Sequence, residues 1–545
     1  MKKLIKNGTI VLEDKVIQGD LLIEDEVIAE IGQNLDAEGG QIIDATGLVV
    51  LPGGIDVHTH FNIDVGVRAV DDFSTGTIAA AFGGTTTIVD HMGFGPKGCN
   101  LHHQLGVYKG YTNGKCVTDY GIHGVFQDIN EDILKETEVM MADGVSSFKM
   151  YLTYDYKLED ADTLKVLKKL KDIGGITTVH CENDAIIHYL RDKFVAEGKT
   201  EAKYHPQSRP PYCEAEAVDR MIALAKAAGK APLYIVHVSA KESVNLIREA
   251  RKAGDTVFGE TCPQYLVLDE SRYDDPVEGL KFILSPPLRA KEHQEAIWQG
   301  IKDGTLQVIA TDHCSFDFHG DKQNGKDDFT KCPNGAPGVE TRMPIVFSEG
   351  VSKGRLSLNE FAAVTSTNPA KIFGMYPKKG VLAPGSDADI VLMNPDMEFL
   401  LYAVLPIKVK WLALLDAVYM VYQIINSLYL GFRTLAQGAS AIYTTTAGAY
   451  FSIAIAIIVA MANFLIYFFA TRQSPRARMH QKRRKRSFER QTNQYANGAR
   501  HRCAVCGRTE LDDDSLDFRY CSKCDGNYEY CSDHLFTHQH VKKFM

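Results

Sequence analysis

Apolar and polar positions alternate in short runs over residues 3 to about 50. Strand-like runs cover residues 21–24 and 27–31, and glycine-containing pairs separate the runs at residues 7–8, 19–20 and 39–40. Alternation with a period of two is typical of half-buried strands, and such pairs are typical of turns. The pattern therefore predicts a small β element at the start of the chain.

From residue 52 to 377, β-branched or aromatic runs alternate with amphipathic stretches. The runs cover residues 85–90, 120–126, 146–151, 177–180, 233–237, 256–260 and 307–312. Apolar residues recur at spacings of three and four within residues 160–171, 214–227, 241–253 and 291–301. Repeated strand–helix units over this length predict an α/β fold, a (β/α)8 TIM barrel.

The apolar pattern changes after residue 395. An apolar stretch at 411–430 is interrupted by Asp416, and residues 434–471 contain no charged side chain. Because about 20 apolar residues span a bilayer, we predict two transmembrane helices within 399–471. A buried soluble helix remains the alternative for the first stretch, since Asp416 would cost about 2.5–3.5 kcal/mol at mid-bilayer.

Charge is distributed unevenly between the two parts. Residues 1–398 contain 41 Lys and Arg against 59 Asp and Glu, whereas residues 399–545 contain 19 against 10. Much of the basic excess lies in a predicted linker, residues 472–502. Directly after a transmembrane segment, such a run sets orientation and contacts anionic lipid, so we expect membrane contact through 411–471 and no nucleic-acid binding. Both hydrophilic parts are then predicted to be cytoplasmic.

Twelve cysteines fall into two groups. Seven are scattered before residue 340, which, with no apolar signal peptide after Met1, favours a reducing compartment. The others crowd near the end, where Cys503-x2-Cys506 and Cys521-x2-Cys524 have the spacing of a zinc ribbon, predicted for residues 503–545 with one structural zinc ion. The residues Cys531, His534, His538 and His540 either form a second site or are solvated.

Candidate catalytic residues lie at or near the ends of the predicted barrel strands. His58 and His60 follow an apolar run, and residues i and i+2 of a strand share a face, so both imidazoles can converge on one metal ion. Four more candidate ligands occupy comparable positions, namely Lys149, His180, His237 and Asp312. Active sites of such barrels lie at the C-terminal strand ends, and core packing does not explain six polar residues at one rim.

Five stretches carry a family resemblance: residues 56–64, 147–154, 179–183, 284–289 and 310–314. With them, the chain up to about residue 395 resembles the dihydropyrimidinase and hydantoinase family of the amidohydrolase superfamily, most closely the D-phenylhydantoinases. The resemblance implies that residues 1–51 and 378–394 form a partial, incomplete β-sandwich beside the barrel at 52–377. The remaining sandwich strands of that family are replaced by the tail.

The resemblance also implies a binuclear zinc hydrolase that opens 5-substituted hydantoins or dihydropyrimidines to N-carbamoyl amino acids. His58, His60 and Asp312 would bind one zinc ion, His180 and His237 the other, and Lys149 would bridge both as N6-carboxylysine. Asp312 would also move the proton, and Tyr154 would stabilise the oxyanion. Backbone groups of Ser285 and Asn334 would bind the ring.

The tail from about residue 395 resembles the last two spans and zinc-ribbon tail of bacterial rhomboid-like membrane proteins, without their protease motif. An inactive chimeric or truncated amidohydrolase with a membrane-anchored zinc-binding tail is therefore the alternative function. A non-catalytic scaffold is disfavoured because all six ligands are present. A homo-oligomer is doubtful, because the family usually assembles through segments that are replaced here.

Overall fold

The computed structural model describes residues 2–395, 398–401, 405–408, 426–427, 429–430, 432–433, 503–506, 508, 518–520, 529–534 and 537. The chain divides into two compact units, Met1–Asp396 and Met397–Met545.

The described residues form strands and helices that we number in chain order. The strands are β1 (Lys2–Val11), β2 (Val16–Glu24), β3 (Val27–Gly32), β4 (Gln41–Asp44), β5 (Val49–Pro52), β6 (Gly54–Thr59), β7 (Thr85–His91), β8 (Asp119–Val125), β9 (Ser147–Tyr151), β10 (Ile176–His180), β11 (Leu233–Ile235), β12 (Val257–Thr261), β13 (Val308–Ile309), β14 (Ile390–Met393), β15 (Glu398–Leu401), β16 (Leu405–Lys408), β17 (Phe518–Tyr520) and β18 (Glu529–Cys531). The α-helices are α1 (Phe73–Phe82), α2 (Leu101–Thr112), α3 (Glu131–Ala142), α4 (Asp160–Ile173), α5 (Asp184–Ala196), α6 (Tyr204–Ser208), α7 (Pro211–Ala227), α8 (Lys241–Lys252), α9 (Pro263–Val267), α10 (Lys291–Lys302), α11 (Arg342–Val346), α12 (Leu358–Ala362) and α13 (Asn368–Ile372). Short 3-10 helices cover Glu270–Tyr273, Glu278–Phe282, Asp321–Gly325 and Phe329–Lys331, and π-helical turns cover Phe347–Ser352 and Ala363–Thr367.

The N-terminal strands and β14 form one six-stranded sheet in the order β14-β5-β1-β2-β3, with β4 also paired to β1. The predicted turn at residues 39–40 is confirmed, but the turns predicted at residues 7–8 and 19–20 are wrong. Gly8 and Gly19 are instead paired within β1 and β2, beside a register shift. The buried Asp20 carboxylate accepts from the backbone N–H of Asn7 at 2.9 Å, so the irregularity is held within the sheet.

Strands β6 to β13 form a parallel sheet in sequence order. A parallel bridge between Thr59 and His313 joins its two ends and closes the barrel. Near the start of β6 and β7, the buried Arg342 guanidinium donates to the carbonyls of Ile55 and Ile309 and to the Thr85 hydroxyl. One arginine therefore satisfies polar groups from several strands inside the barrel.

The helices pack on the outside of this barrel through apolar stripes. In α8, for example, Val244, Ile247 and Ala250 are buried at spacings of three, as an amphipathic surface helix requires. The predicted strands and helices of the barrel region are confirmed, with ends that differ by up to three residues. The predicted (β/α)8 barrel is therefore confirmed.

The C-terminal unit differs from the predicted organisation. Strands β15 and β16 pair antiparallel, so the predicted membrane segment cannot start at residue 399, because the backbone there is paired between strands rather than along a helix. Residues 411–425 and 434–502, which hold most of the predicted hairpin and all of the basic linker, lie outside the described residues. Within the part of the chain that is described, no helix is both long and apolar enough to cross a membrane. The transmembrane hairpin is thus not supported.

Candidate active site

The structure brings the six predicted ligands together at the C-terminal ends of the barrel strands. His58 lies on β6 with His60 just beyond it, Lys149 lies within β9 and His180 ends β10. His237 and Asp312 follow the ends of β11 and β13. All except the more deeply buried His58 line a cavity of about 720 Å³, a volume suited to a small ligand.

Two histidines and a carboxylate form the first group of donors. Asp312 Oδ1 lies 3.1 Å from His58 Nε2 and 3.2 Å from His60 Nε2. Donor atoms of the three residues all lie within 4.8 Å of one another. Imidazole nitrogen and carboxylate oxygen are common ligands of zinc, so this group fits a metal ion.

The second group contains His180 and His237, whose Nδ1 and Nε2 atoms are 2.9 Å apart. Lys149 Nζ lies 3.2 Å from His58 Nε2, which connects this lysine to the first group. The rings of His58 and His237 are stacked with centroids 5.4 Å apart. The two groups are therefore contiguous, as a pair of metal ions sharing a ligand would need.

Burial sets the protonation of these groups. It lowers the pKa of His60 to about 4 and that of His237 well below the usual value, so both imidazoles are neutral donors at neutral pH. Burial opposes ionisation of Asp312, but the neighbouring His58 and His60 hold its pKa well below the usual range. Burial also lowers the pKa of Lys149 to about 8, which increases the fraction of uncharged, nucleophilic amine.

Glu260, near the end of β12, contacts one histidine from each of the two donor groups. Its Oε1 lies 2.6 Å from His58 Nδ1 and accepts from the backbone N–H of His237 at 3.1 Å. Its Oε2 accepts from the Tyr234 hydroxyl at 2.8 Å. A carboxylate on the outer nitrogen of a ligand histidine fixes the tautomer and the ring orientation.

Other buried carboxylates support the remaining ligands. Glu182 lies 2.9 Å from His180 Nε2 and pairs with Arg209, which lowers its pKa to about 2 although burial opposes this. Asp90 accepts from the hydroxyl of Thr59, the residue between the two predicted ligands His58 and His60, at 2.7 Å. Sequence reasoning missed these residues and Glu260. The sequence contained one sign of two of them. Asp90 and Glu260 end predicted buried strands, where a carboxylate needs a polar partner.

Three residues of the site have an uncommon backbone conformation. Tyr154, His237 and Asp312 have φ values of 73°, 39° and 54°. This left-handed region is uncommon for residues other than glycine and is found at functional sites where the surrounding structure enforces it.

The three predicted substrate-binding residues line the same cavity. The Tyr154 ring lies 5.3 Å from the His180 ring between centroids. Asn334 Oδ1 is buried and has no hydrogen-bond partner among the described residues, and Ser285 lies at the cavity wall. Phe94 and Tyr156 also line the cavity and pack with centroids 4.3 Å apart, which adds an aromatic surface that the sequence did not reveal.

The predicted zinc ribbon is only partly within the described structure. Cys521 and Cys524 lie outside the described residues. Cys503 and Cys506 instead lie close to Cys531 and His534. The pairing predicted from the CxxC spacing therefore stays untested, and a different set of four donors is present.

Comparisons with known proteins show the family of this chain. The model of the amidohydrolase family matches residues 49–410. The chain is 55% identical over 397 residues to a D-phenylhydantoinase of Escherichia coli O7:K1, covering 72% of this chain and 86% of that protein.

Two solved structures are similar as well. The dihydropyrimidinase from Brevibacillus agri is 47% identical with a TM-score of 0.72, and the match covers 74% of this chain and 88% of that one. The L-hydantoinase (dihydropyrimidinase) from Arthrobacter aurescens is 30% identical with a TM-score of 0.67, over 73% and 88% of the two chains. The rhomboid-like resemblance predicted from residue 395 onward finds no support in these matches.

Proposed function

We propose a residue-level mechanism for this chain, which belongs to the amidohydrolase family and, like its hydantoinase and dihydropyrimidinase relatives, is a hydrolase of cyclic amides. The observation that carries the mechanism is the clustering of four imidazoles, one carboxylate and one buried lysine, all of which except His58 line a single cavity. The inactive alternative is not favoured.

The donor atoms suit two zinc ions, with His58, His60 and Asp312 at one and His180 and His237 at the other. Bound there, the ions would supply a water of lowered pKa and a Lewis acid for the amide carbonyl. Lys149 would serve both as N6-carboxylysine, formed when its neutral amine adds to CO2 and loses a proton. The lowered pKa of this lysine supports that reaction, because a protonated amine is not a nucleophile.

Asp312 moves the proton in this mechanism. Its carboxylate is ionised and reaches into the cavity beside both histidines of β6. It therefore accepts the proton of the attacking water and delivers it to the ring nitrogen that leaves.

Tyr154 stabilises the negative charge that develops on the carbonyl oxygen. Burial raises the pKa of its phenol, so the hydroxyl keeps its proton and can donate a hydrogen bond. Ser285 and Asn334, which line the same cavity, orient the cyclic amide through backbone groups. A hydrogen-bond donor fixed in position, as we propose for the Tyr154 hydroxyl, stabilises the transition state more than the bound substrate.

The finer proposal concerns the exocyclic group of the substrate. Phe94, Tyr151 and Tyr156 line the cavity, and the Phe94 ring packs against both tyrosine rings. An aromatic substituent at position 5 of a hydantoin would extend this cluster, and aromatic pairs contribute about 0.5–1.5 kcal/mol beyond area burial. We therefore place 5-aryl hydantoins ahead of dihydropyrimidines.

Ring opening by the full chain, supplied with zinc and bicarbonate, tests this function. We expect hydrolysis of phenylhydantoin to exceed that of dihydrouracil, and loss of both activities in His180→Ala and Lys149→Ala. Retained hydrolysis in either variant would refute the metal mechanism.

Phe94→Leu tests the aromatic surface separately. It should lower the kcat/KM ratio of phenylhydantoin to dihydrouracil by about 2- to 12-fold, which corresponds to the energy of one aromatic pair. Phe82→Leu is a matched control, because Phe82 is exposed and does not line the cavity. An unchanged ratio in Phe94→Leu would show that the cluster does not contact the substituent.

A further inference from the structure

Three thiols and one imidazole form a compact cluster in the C-terminal unit. Cys506 Sγ lies 3.8 Å from Cys531 Sγ. His534 Nδ1 lies 3.2 Å from Cys531 Sγ and 3.8 Å from Cys503 Sγ. All four donor atoms lie within 4.8 Å of one another.

These separations match the edges of a tetrahedron around one metal ion. Zinc binds thiolate at about 2.3 Å, which places two sulfurs roughly 3.8 Å apart in tetrahedral geometry. A disulfide instead requires sulfurs at about 2.05 Å, and these cysteines are free. The geometry therefore favours a metal site over an oxidised pair.

Two separate segments present the donors, and local backbone contacts fix each one. In the first, the Cys503 N–H donates to the Arg508 carbonyl at 2.9 Å and closes the loop that contains Cys506. In the second, Cys531 ends β18, and the His534 N–H donates to its carbonyl at 2.9 Å. Cys503 and Cys531 are almost fully buried, as expected for the inner side of a closed site.

The charge around the cluster is also consistent with a metal ion bound by three thiolates. Three thiolates and a divalent cation carry one net negative charge, which a neighbouring cation would offset. Arg508 Nε donates to Cys506 Sγ at 3.4 Å, and its Nη2 donates to Asp533 Oδ2 at 2.6 Å. This arginine thus contacts a ligand sulfur and is itself oriented, as the residues around metal ligands often are.

We propose that Cys503, Cys506, Cys531 and His534 bind one structural zinc ion that ties the Cys503–Cys506 loop to the end of β18. This assignment replaces the four-cysteine ribbon predicted from spacing alone, because it pairs the first CxxC with a C-x2-H segment. It does not depend on the activity of the barrel, whose proposed ligands contain no sulfur.

Cobalt substitution in the full chain tests the site. Thiolate ligands give Co²⁺ a near-ultraviolet charge-transfer band that the nitrogen and oxygen ligands of the barrel cannot produce. Cys531→Ser should weaken the affinity that this band reports by more than about 10-fold, since even outer partners of a metal ligand contribute that much. The matched control is Cys521→Ser with Cys524→Ser, which should leave the band and the affinity unchanged.

The reverse result, with the band lost in the control and kept in Cys531→Ser, would overturn the assignment in favour of the ribbon. His534→Cys guards against simple misfolding, because a fourth thiolate should keep the metal and strengthen the band by about one third. Loss of the band in that variant would argue against His534 as a ligand. A Cys506–Cys531 disulfide found by mass spectrometry in the protein as isolated would also refute a zinc site. Hydantoin hydrolysis should be the same in all of these variants.

Discussion

Replacing Glu260 with glutamine separates metal binding from folding. The carboxylate contacts His58 Nδ1, the His237 N–H and the Tyr234 hydroxyl, and it is fully buried. Glutamine has the same shape and keeps one oxygen toward His58 and His237, while its NH2 group faces the Tyr234 oxygen. The main loss is therefore the negative charge that polarises the His58 ring.

Loss of such an outer partner typically costs about 10- to 100-fold in metal affinity, or about 1.4–2.7 kcal/mol. We expect this loss for zinc in Glu260→Gln, together with a change of about 1 kcal/mol in the free energy of unfolding of the metal-free chain. Glu260→Ala would be uninformative. It leaves three buried donors unpaired at about 1–3 kcal/mol each, a sum comparable with the total stability of a domain.

Tyr234→Phe is the matched control. It removes the hydrogen bond to the other carboxylate oxygen and leaves the contact with His58 intact, so stability should fall by about 1.5–3 kcal/mol with zinc affinity nearly unchanged. The assays are competition with a zinc chelator and denaturant unfolding of the metal-free proteins. Wild-type zinc affinity in Glu260→Gln, or an equal loss in both variants, would refute the role assigned to Glu260.

Three further predictions concern other parts of the first unit. Tyr154→Phe should lower kcat by about 10²- to 10³-fold with little change in KM, as removal of an oxyanion donor does, and an equal change in KM alone would contradict the role. Asp71, hydrogen-bonded to His313 and Ser315, has its pKa lowered from 3.8 to about 2. Because Asp71 is partly exposed, solvent screening reduces its contribution to about 1 kcal/mol. This contribution is present above pH 4 and lost as the pH falls toward 2, so the unfolding free energy of Asp71→Asn should fall less steeply across that range. Arg342→Met should destabilise the chain by about 3–5 kcal/mol in urea, because it leaves buried carbonyls and Asp56 without their cation. Arg272→Met, at an exposed arginine that does not line the cavity, should cost less than about 1 kcal/mol.

Much of the barrel could be predicted from the sequence because its strands and helices have different patterns. The strands are short continuous runs of β-branched or aromatic residues, whereas apolar residues in the helices recur at spacings of three and four. The N-terminal sheet was harder. Glycine beside a polar residue usually signals a turn, and at residues 7–8 and 19–20 this local signal was misleading. The decisive interaction is the contact of Asp20 with Asn7, thirteen residues away, which no local pattern contains.

The candidate site shows the same division. Its ligands could be predicted because each comes near the end of a strand and matches a family motif. The groups behind the ligands could not, because Glu260 reaches His58 across a separation of 202 residues. In the tail, the spacing predicts that Cys503 and Cys506 pair with the next CxxC, whose two cysteines lie outside the described residues, whereas the described residues place Cys531 and His534 beside the first pair. Spacing identifies residue types that bind metal, whereas the fold decides which of them meet.

The positions of the residues that contact the proposed ligands indicate whether catalysis needs additional sheet strands after β14. Every residue that holds a proposed barrel ligand, from Asp56 to Arg342, lies within the barrel region. The returning strand β14 pairs with β5, immediately before β6, and Lys379 bridges Asp119 and Asp389 between barrel and sheet. The sheet thus holds β5, the segment that leads into the strand with His58. All of the contacts that do so come from residues up to 393. Catalysis by the barrel should therefore not need further sheet strands after residue 393.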